Sequence, residues 1–241
     1  MEKKRQWLLT TTLFISLGLA ACGSQSVLSQ ADANTQTTTK TSTTSTTQTA
    51  SYFEASDLTA TYDESKASKI SLQGTTATVS GDGVTVSGST VEITKGGTYI
   101  VEGTATGVQL KVAAGKEDEV QIVFKNVTLK NTEAPLLVDT AKKVILTVAD
   151  GTKNEVADES TSTVKGAIYS DSDLTINGKG SLTVTGAASN AIKSKDGIRI
   201  VDATVTTTAK KHGVAANDFV NVSGATLNLS ADEDGIHSDN E

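Results

Sequence analysis

A short block that returns four times in the last third of the chain constrains the fold more than any other feature. Gly166-Ala167-Ile168-Tyr169-Ser170 is echoed by Asn190-Ala191-Ile192-Lys193-Ser194, then by His212-Gly213-Val214-Ala215-Ala216 and Asp234-Gly235-Ile236-His237-Ser238. The anchoring aliphatics Ile168, Ile192, Val214 and Ile236 stand 24, 22 and 22 residues apart. Six and eight residues after the first three anchors come the pairs Leu174/Ile176, Ile198/Ile200 and Val220/Val222. A third set follows: Leu182/Val184, Ala203/Val205 and Ala225/Leu227/Leu229. Three short strands per turn of about 22 residues, with Gly, Asn and Asp at the corners, predict a parallel β-helix. Each rung then buries alternate residues and hydrogen-bonds to its neighbours ~4.8 Å above and below. Small residues such as Ala191 and Ser194 suit the tight corners. An immunoglobulin-like sandwich also has closely spaced strands, but it gives no reason for one block to recur at a fixed interval.

The same alternation reaches upstream to about Asp57. Ile70-Ser71-Leu72, Ala77-Thr78-Val79, Val84-Thr85-Val86, Val91-Glu92-Ile93 and Tyr99-Ile100-Val101 are β-branched or aliphatic at period two, separated by glycine turns. Val120 to Phe124 and Val127 to Leu129 continue it, and Leu136 to Val138 with Val144 to Leu146 begin another rung. The 32-residue interval from Leu136 to Ile168 places a loop at the polar stretch 155–165. Helices are expected to be nearly absent. The chain stops just before its next strand pair is due, and no cap is evident, so the coil is expected to be incomplete at its C-terminal end.

Ahead of the solenoid the composition changes twice. Lys3, Lys4 and Arg5 precede an apolar run from Trp7 to Leu19 that is too short to span a bilayer. It ends in Leu19-Ala20-Ala21-Cys22, which resembles a bacterial lipobox. Residues 1–21 are thus expected to be a lipoprotein signal peptide, with Cys22, the sole cysteine, lipidated. Residues 22–56, rich in Ser, Thr and Gln, bury too little to offset ordering entropy and read as a tether. Fully extended at roughly 3.3 Å per residue, its stretch over 24–51 reaches at most about 90 Å. The domain is expected over 57–241, exported and held on the outer side of a bacterial membrane by lipid alone. Removing three basic residues and one acidic one with the leader takes the net charge from −7 to −9. Such a chain repels nucleic acid. A monomer is expected.

The rung alignment places Asp173, Asp196, Asp218 and Asn240 at nearly equivalent corners, 23, 22 and 22 residues apart. Carboxylates stacked at rung spacing repel and need a counter-charge. Lys193 and Lys195 supply it on one rung only. Ca²⁺, which takes six to eight oxygens, would supply it throughout. Asp and Asn also serve turns without any metal. From His212 onward there are six acidic residues and no Lys or Arg, so Asp234 and Asp239 join the candidate calcium ligands. His212 and His237 stand 25 residues apart, which leaves them short of stacking.

Several stretches in order carry a family resemblance: Ala60-Thr61-Tyr62-Asp63-Glu64-Ser65, Gly81 to Ser89, Gly97 to Gly103, Ile168-Tyr169-Ser170 with Leu174 to Gly180, Ile192 to Asp196, and Asp234 to Asn240. With these, the chain from Asp57 onward resembles bacterial secreted carbohydrate-binding β-helix proteins. The resemblance implies a right-handed parallel β-helix that binds Ca²⁺ and an acidic plant polysaccharide of the polygalacturonate type, without catalysis. The chain departs from that pattern at Val201-Asp202-Ala203, where a glycine turn is more usual.

The residues support the same direction. A net-negative protein and a polyuronate repel unless Ca²⁺ bridges them. Trp7, the one tryptophan, lies in the leader, which disfavours an aromatic platform for neutral sugars. Candidate glycan contacts are Tyr169, which should face outward, with Lys193, Lys195, Arg199 and His237. A Ca²⁺-dependent polysaccharide lyase is the competing class. Its base would be Arg199, the single arginine outside the leader, set outward between Ile198 and Ile200. A hydrolase is discounted because Arg199-Ile200 precedes His212-Gly213, the reverse of that family's order. A passive adhesin or scaffold is the third class.

Overall fold

The structure is a computed structural model that describes residues 52–240; the leader, Cys22 and most of the tether lie outside the described residues. Every regular element among the described residues is a β-strand. An N-terminal set of hairpin strands, β1 (Ser68–Gly74), β2 (Thr76–Ser80) and β3 (Val84–Ser87), caps the stack. β1 pairs antiparallel with β2, and β3 pairs antiparallel with the first rung.

Six rungs follow. The first two are built from β4 (Thr90–Ile93) with β5 (Gly97–Thr106), then β6 (Gln109–Ala113) with β7 (Glu119–Asn131). The third has three strands: β8 (Leu136–Thr140), β9 (Lys143–Val148) and β10 (Lys153–Asp158). The fourth is β11 (Gly166–Ser170), β12 (Asp173–Gly178) and β13 (Ser181–Gly186). The fifth is β14 (Asn190–Ser194), β15 (Ile198–Val201) and β16 (Thr204–Ala209). The sixth is β17 (Val214–Ala216), β18 (Val220–Ser223) and β19 (Thr226–Ala231), and β20 (Ile236–Ser238) opens a seventh. All rung-to-rung pairings are parallel, which makes the domain a parallel β-solenoid as the repeat predicts.

The sequence anchors form a ladder. Leu110, Leu136, Ile168, Ile192, Val214 and Ile236 are register partners along one eight-stranded face. The first five are fully buried, whereas Ile236 in the last strand is 46% exposed. Each such aliphatic, fully buried, contributes about 1.5–3 kcal/mol by leaving water. The second and third faces form one 12-stranded sheet, because β5 and β7 each run through the corner between them. The N-terminal half of β7 pairs with β9 and its C-terminal half with β10. Later rungs break that corner with left-handed residues such as Gly178 (φ 103°) and Asp202 (φ 58°). Asp202 thus takes, without being glycine, the backbone geometry that the sequence pattern assigned to a glycine turn. Aspartate tolerates this region better than most residues.

The loop expected over 155–165 is shorter than its composition suggests. Residues 153–158 are β10, with Asn154, Val156 and Asp158 buried and the residues between them turned outward. Polar residues at the inward positions hid the strand's period. Only 159–165 leaves the stack.

The segment before the hairpins is packed against the second face. Phe53 is buried, and Asp57 is fully buried in a polar column on the outer surface of β9, β12 and β15. Lys143 Nζ contacts Asp57 Oδ1 at 3.0 Å, Thr175 Oγ1 donates to the same oxygen at 2.5 Å, and Arg199 Nε lies 3.4 Å from Oδ2. Asn177 Nδ2 donates to the Asp57 and Thr59 carbonyls, both at 3.1 Å.

Candidate functional site

Strand alternation decides which side chains leave the coil. On the eight-stranded face, Tyr169, Lys193, Ala215 and His237 are register partners on β11, β14, β17 and β20. Three of the five candidate glycan contacts therefore share one outward column at rung spacing. Ala215 is too short to fill its place, and a cleft of about 440 Å³ opens between Lys193 and His237. Lys165, from the loop after β10, and Lys211, from the turn after β16, complete its rim with His212 and Asn217. Lys193 Nζ is held by Asn217 Oδ1 at 2.6 Å and Asp239 Oδ2 at 3.4 Å. Lys165 and Lys211 were not singled out from the sequence. The signal was present: each stands three residues before its anchor, Ile168 and Val214, where the other rungs carry Ser189 and Glu233.

Lys195 and Arg199 sit elsewhere. Lys195 is at the corner beyond β14, 2.8 Å from Asp171 Oδ1, with its ammonium 5.9 Å from the Tyr169 ring centroid. Arg199 faces outward from the coil, as expected, yet it is only 9% exposed because the N-terminal segment covers it. It lies over the Phe219 ring at 4.7 Å, contacts Asp173 Oδ2 at 3.1 Å and donates to the Tyr52 carbonyl at 3.1 Å. Its guanidinium is tied up in packing and ion pairs, so it is neither a surface glycan contact nor a free base.

The acidic corner forms with one displacement. Asp196, Asp218 and Asn240 keep a common register, and Asn240 Nδ2 donates to Asp218 Oδ1 at 3.1 Å. Asp173 is one residue out of line: it opens β12 opposite Gly197, whose N–H donates to its Oδ1 at 3.0 Å. With Arg199 on its other oxygen, it stands outside that column. The 23-residue spacing at that step was the sign of the slip. Burial, then the neighbouring Asp173, Asp218 and Asp171 carboxylates, push Asp196 above the usual carboxylate range. A second cleft of about 430 Å³ runs along this corner between Asp139, Asp171 and Asp196. Asp196, Asp218 and Asn240 offer only oxygen donors, the set that Ca²⁺ takes.

Asp234 and Asp239 gather around histidine instead. The His212 and His237 rings stack in parallel, with centroids 4.3 Å apart and planes within 5°. The expectation that 25 residues would hold them apart fails because the side chains lean toward each other across one rung. Asp234 Oδ2 lies 3.3 Å from His212 Nδ1 and 3.2 Å from His237 Nδ1. Burial, and next the His237 ring, hold the His212 pKa below the usual imidazole value.

Comparison with known proteins agrees with this architecture. The chain superposes on the structure of a polysaccharide lyase-like protein from C. thermocellum, a gadolinium derivative, with a TM-score of 0.62 and 23% identity, over 73% of this chain and 95% of the other. At that identity the likeness concerns the fold. A carbohydrate-binding domain-containing protein of Acetivibrio thermocellus is 36% identical over 137 residues, covering 53% of this chain and 48% of the relative. The chain thus spans about half the length of the curated relative it matches. Residues 87–241, more than half of the chain, match the family of carbohydrate-binding domain-containing proteins, and the chain belongs to that family.

Proposed function

We propose that this protein is an exported, lipid-anchored, non-catalytic binder of acidic polysaccharide of the polygalacturonate type. The observation that carries the reading is the lysine-rimmed cleft. In a chain of net charge −7, Lys165, Lys193 and Lys211 converge on one outward column that also holds Tyr169 and His237. Uronate carboxylates answer ammonium groups, and a sugar face answers the Tyr169 ring. A linear polymer suits a solenoid because its repeats can follow the column.

Ca²⁺ is the proposed second bridge, at Asp196, Asp218 and Asn240. Calorimetric titration with Ca²⁺ should give saturable heat that disappears in Asp196→Asn/Asp218→Asn. Absence of heat down to millimolar affinity would remove calcium from the reading.

The glycan test uses affinity electrophoresis in polygalacturonate. Lys165→Ala/Lys211→Ala should bind about tenfold more weakly, and wild-type binding should fall as salt screens the exposed charges. Equal retention by a neutral galactan, with no effect of the lysine changes, would overturn the acidic specificity. The lyase alternative loses its proposed base because Arg199 is held by Asp57, Asp173 and Phe219. Incubation with polygalacturonate should accordingly produce no rise in ultraviolet absorbance from unsaturated ends.

A further inference from the structure

We infer that His212, Asp234 and His237 form a site for a tetrahedral transition-metal dication of the Zn²⁺ class, separate from the oxygen-lined corner proposed for Ca²⁺. The argument begins with protons. His237 Nε2 faces Asp239 Oδ1 at 3.0 Å, and His212 Nε2 faces Glu233 Oε2 at 3.4 Å. With the imidazole proton on Nε2, toward these carboxylates, each Nδ1 presents a lone pair. The Asp234 backbone N–H points at His212 Nδ1 from 3.3 Å, which marks that nitrogen as an acceptor too.

Both Nδ1 atoms lie beside Asp234 Oδ2, at 3.3 and 3.2 Å. Because the rings stack within 5° of parallel, one metal takes both in-plane lone pairs once the more exposed His237 ring turns out of the stack. A cation would draw these three electron-rich atoms together, displacing the Asp234 N–H from the single lone pair of His212 Nδ1. The distances suit a small one. Ligand atoms about 2.0–2.1 Å from a tetrahedral metal are separated by roughly 3.3 Å along each edge. The three ligand atoms all lie within 4.8 Å of one another.

The donor set selects the metal. Two imidazole nitrogens and one carboxylate oxygen suit Zn²⁺ and its neighbours, whereas Ca²⁺ prefers oxygen throughout. Three protein ligands leave a fourth position for water. Access is open, because the side chains of Asp234 and His237 are 55% and 35% exposed while His212 holds the buried end at 7%.

The test titrates ZnCl₂ into the chelator-treated full chain by calorimetry, with and without excess CaCl₂. One Zn²⁺ per chain is expected, undiminished by Ca²⁺. His237→Ala, at the exposed end, should weaken Zn²⁺ binding at least ~10-fold, the usual scale for loss of a contributor to a metal site. Zn²⁺ should raise the Tm of wild type but not of His237→Ala, which also shows that the variant is folded. Co²⁺ loaded in place of Zn²⁺ should give the visible absorption of a tetrahedral centre. No saturable Zn²⁺ binding, displacement by equimolar Ca²⁺, or unchanged affinity in His237→Ala would each overturn the inference. Binding of polygalacturonate is not an arm of the test, so the glycan reading stands or falls separately.

Discussion

Replacing Asp57 with alanine should lower the unfolding free energy by about 3–5 kcal/mol, the usual cost of leaving buried charges without their partner. Asp57 is fully buried, and two cations depend on it. Lys143 is 1% exposed and Arg199 9%. Lys143 keeps only Glu54, whose side chain is 57% exposed, as a second carboxylate. Thr175 also loses its acceptor, whereas the bonds from Asn177 to the backbone carbonyls of residues 57 and 59 remain. Urea denaturation of wild type and Asp57→Ala measures the difference. Asp57→Ala/Lys143→Met should recover part of it, because one stranded charge goes with the carboxylate.

The same network gives a pH signature. Burial favours the neutral acid at Asp57, but hydrogen bonds from Thr175, the Glu54 N–H and Lys143 outweigh it and hold the pKa below 3.8. A carboxyl depressed in the folded state stabilises fully above its unfolded value. That stability is lost as pH falls from near 3.8 through the lower folded value. Wild type should therefore lose stability on acidification across this window, and Asp57→Asn should flatten that limb. A cost under about 1 kcal/mol with an unchanged acid limb would mean that the segment is not docked in solution.

Gly178→Ala should cost about 3 kcal/mol, for two separable reasons. Gly178 has φ 103°, a conformation that L side chains rarely adopt. An added Cβ would also stand 2.2 Å from the Val148 carbonyl oxygen on the rung beside it. That oxygen belongs to a strand paired to Gly178 itself, so it cannot withdraw without breaking the ladder. Gly74→Ala is the control: φ is 67°, but nothing lies within 4 Å, leaving only the conformational cost of about 1–2 kcal/mol. Thermal or urea unfolding of the two variants should rank them in that order. Equal costs would mean that the corner opens freely to accept a methyl group.

The solenoid was legible because its cause is local and repeated. Inward aliphatics at Ile168, Ile192, Val214 and Ile236 announce the same environment each time, and the register pairs them as the spacing requires. The outward direction of Tyr169, Lys193 and His237 followed from alternation alone. The site was legible only in part. Asp173 was misaligned because its rung step is 24 residues on both sides of the corner, so Ser172 takes the place opposite Asp196 and Asp173 falls at the strand's start. Arg199 was placed on the correct surface, but no periodicity could reveal that a segment almost 150 residues earlier covers it. The contact of its Nε with the Tyr52 carbonyl is entirely long-range.

By itself, then, the sequence determined the parallel coil, its rung length, and which residues point in or out. Those depend on burial and on the two-residue period of a strand, both of which act over a few positions. Only the tertiary structure decided the partners of the outward groups. It seated Asp57 between Lys143 and Arg199, tilted two histidines into a stack around Asp234, and brought Lys165 and Lys211 from separate turns to one cleft. The physical reason is the geometry of stacking. Residues one rung apart in sequence meet at about 4.8 Å, and lateral shifts of one residue or one side-chain rotamer then decide which charges touch.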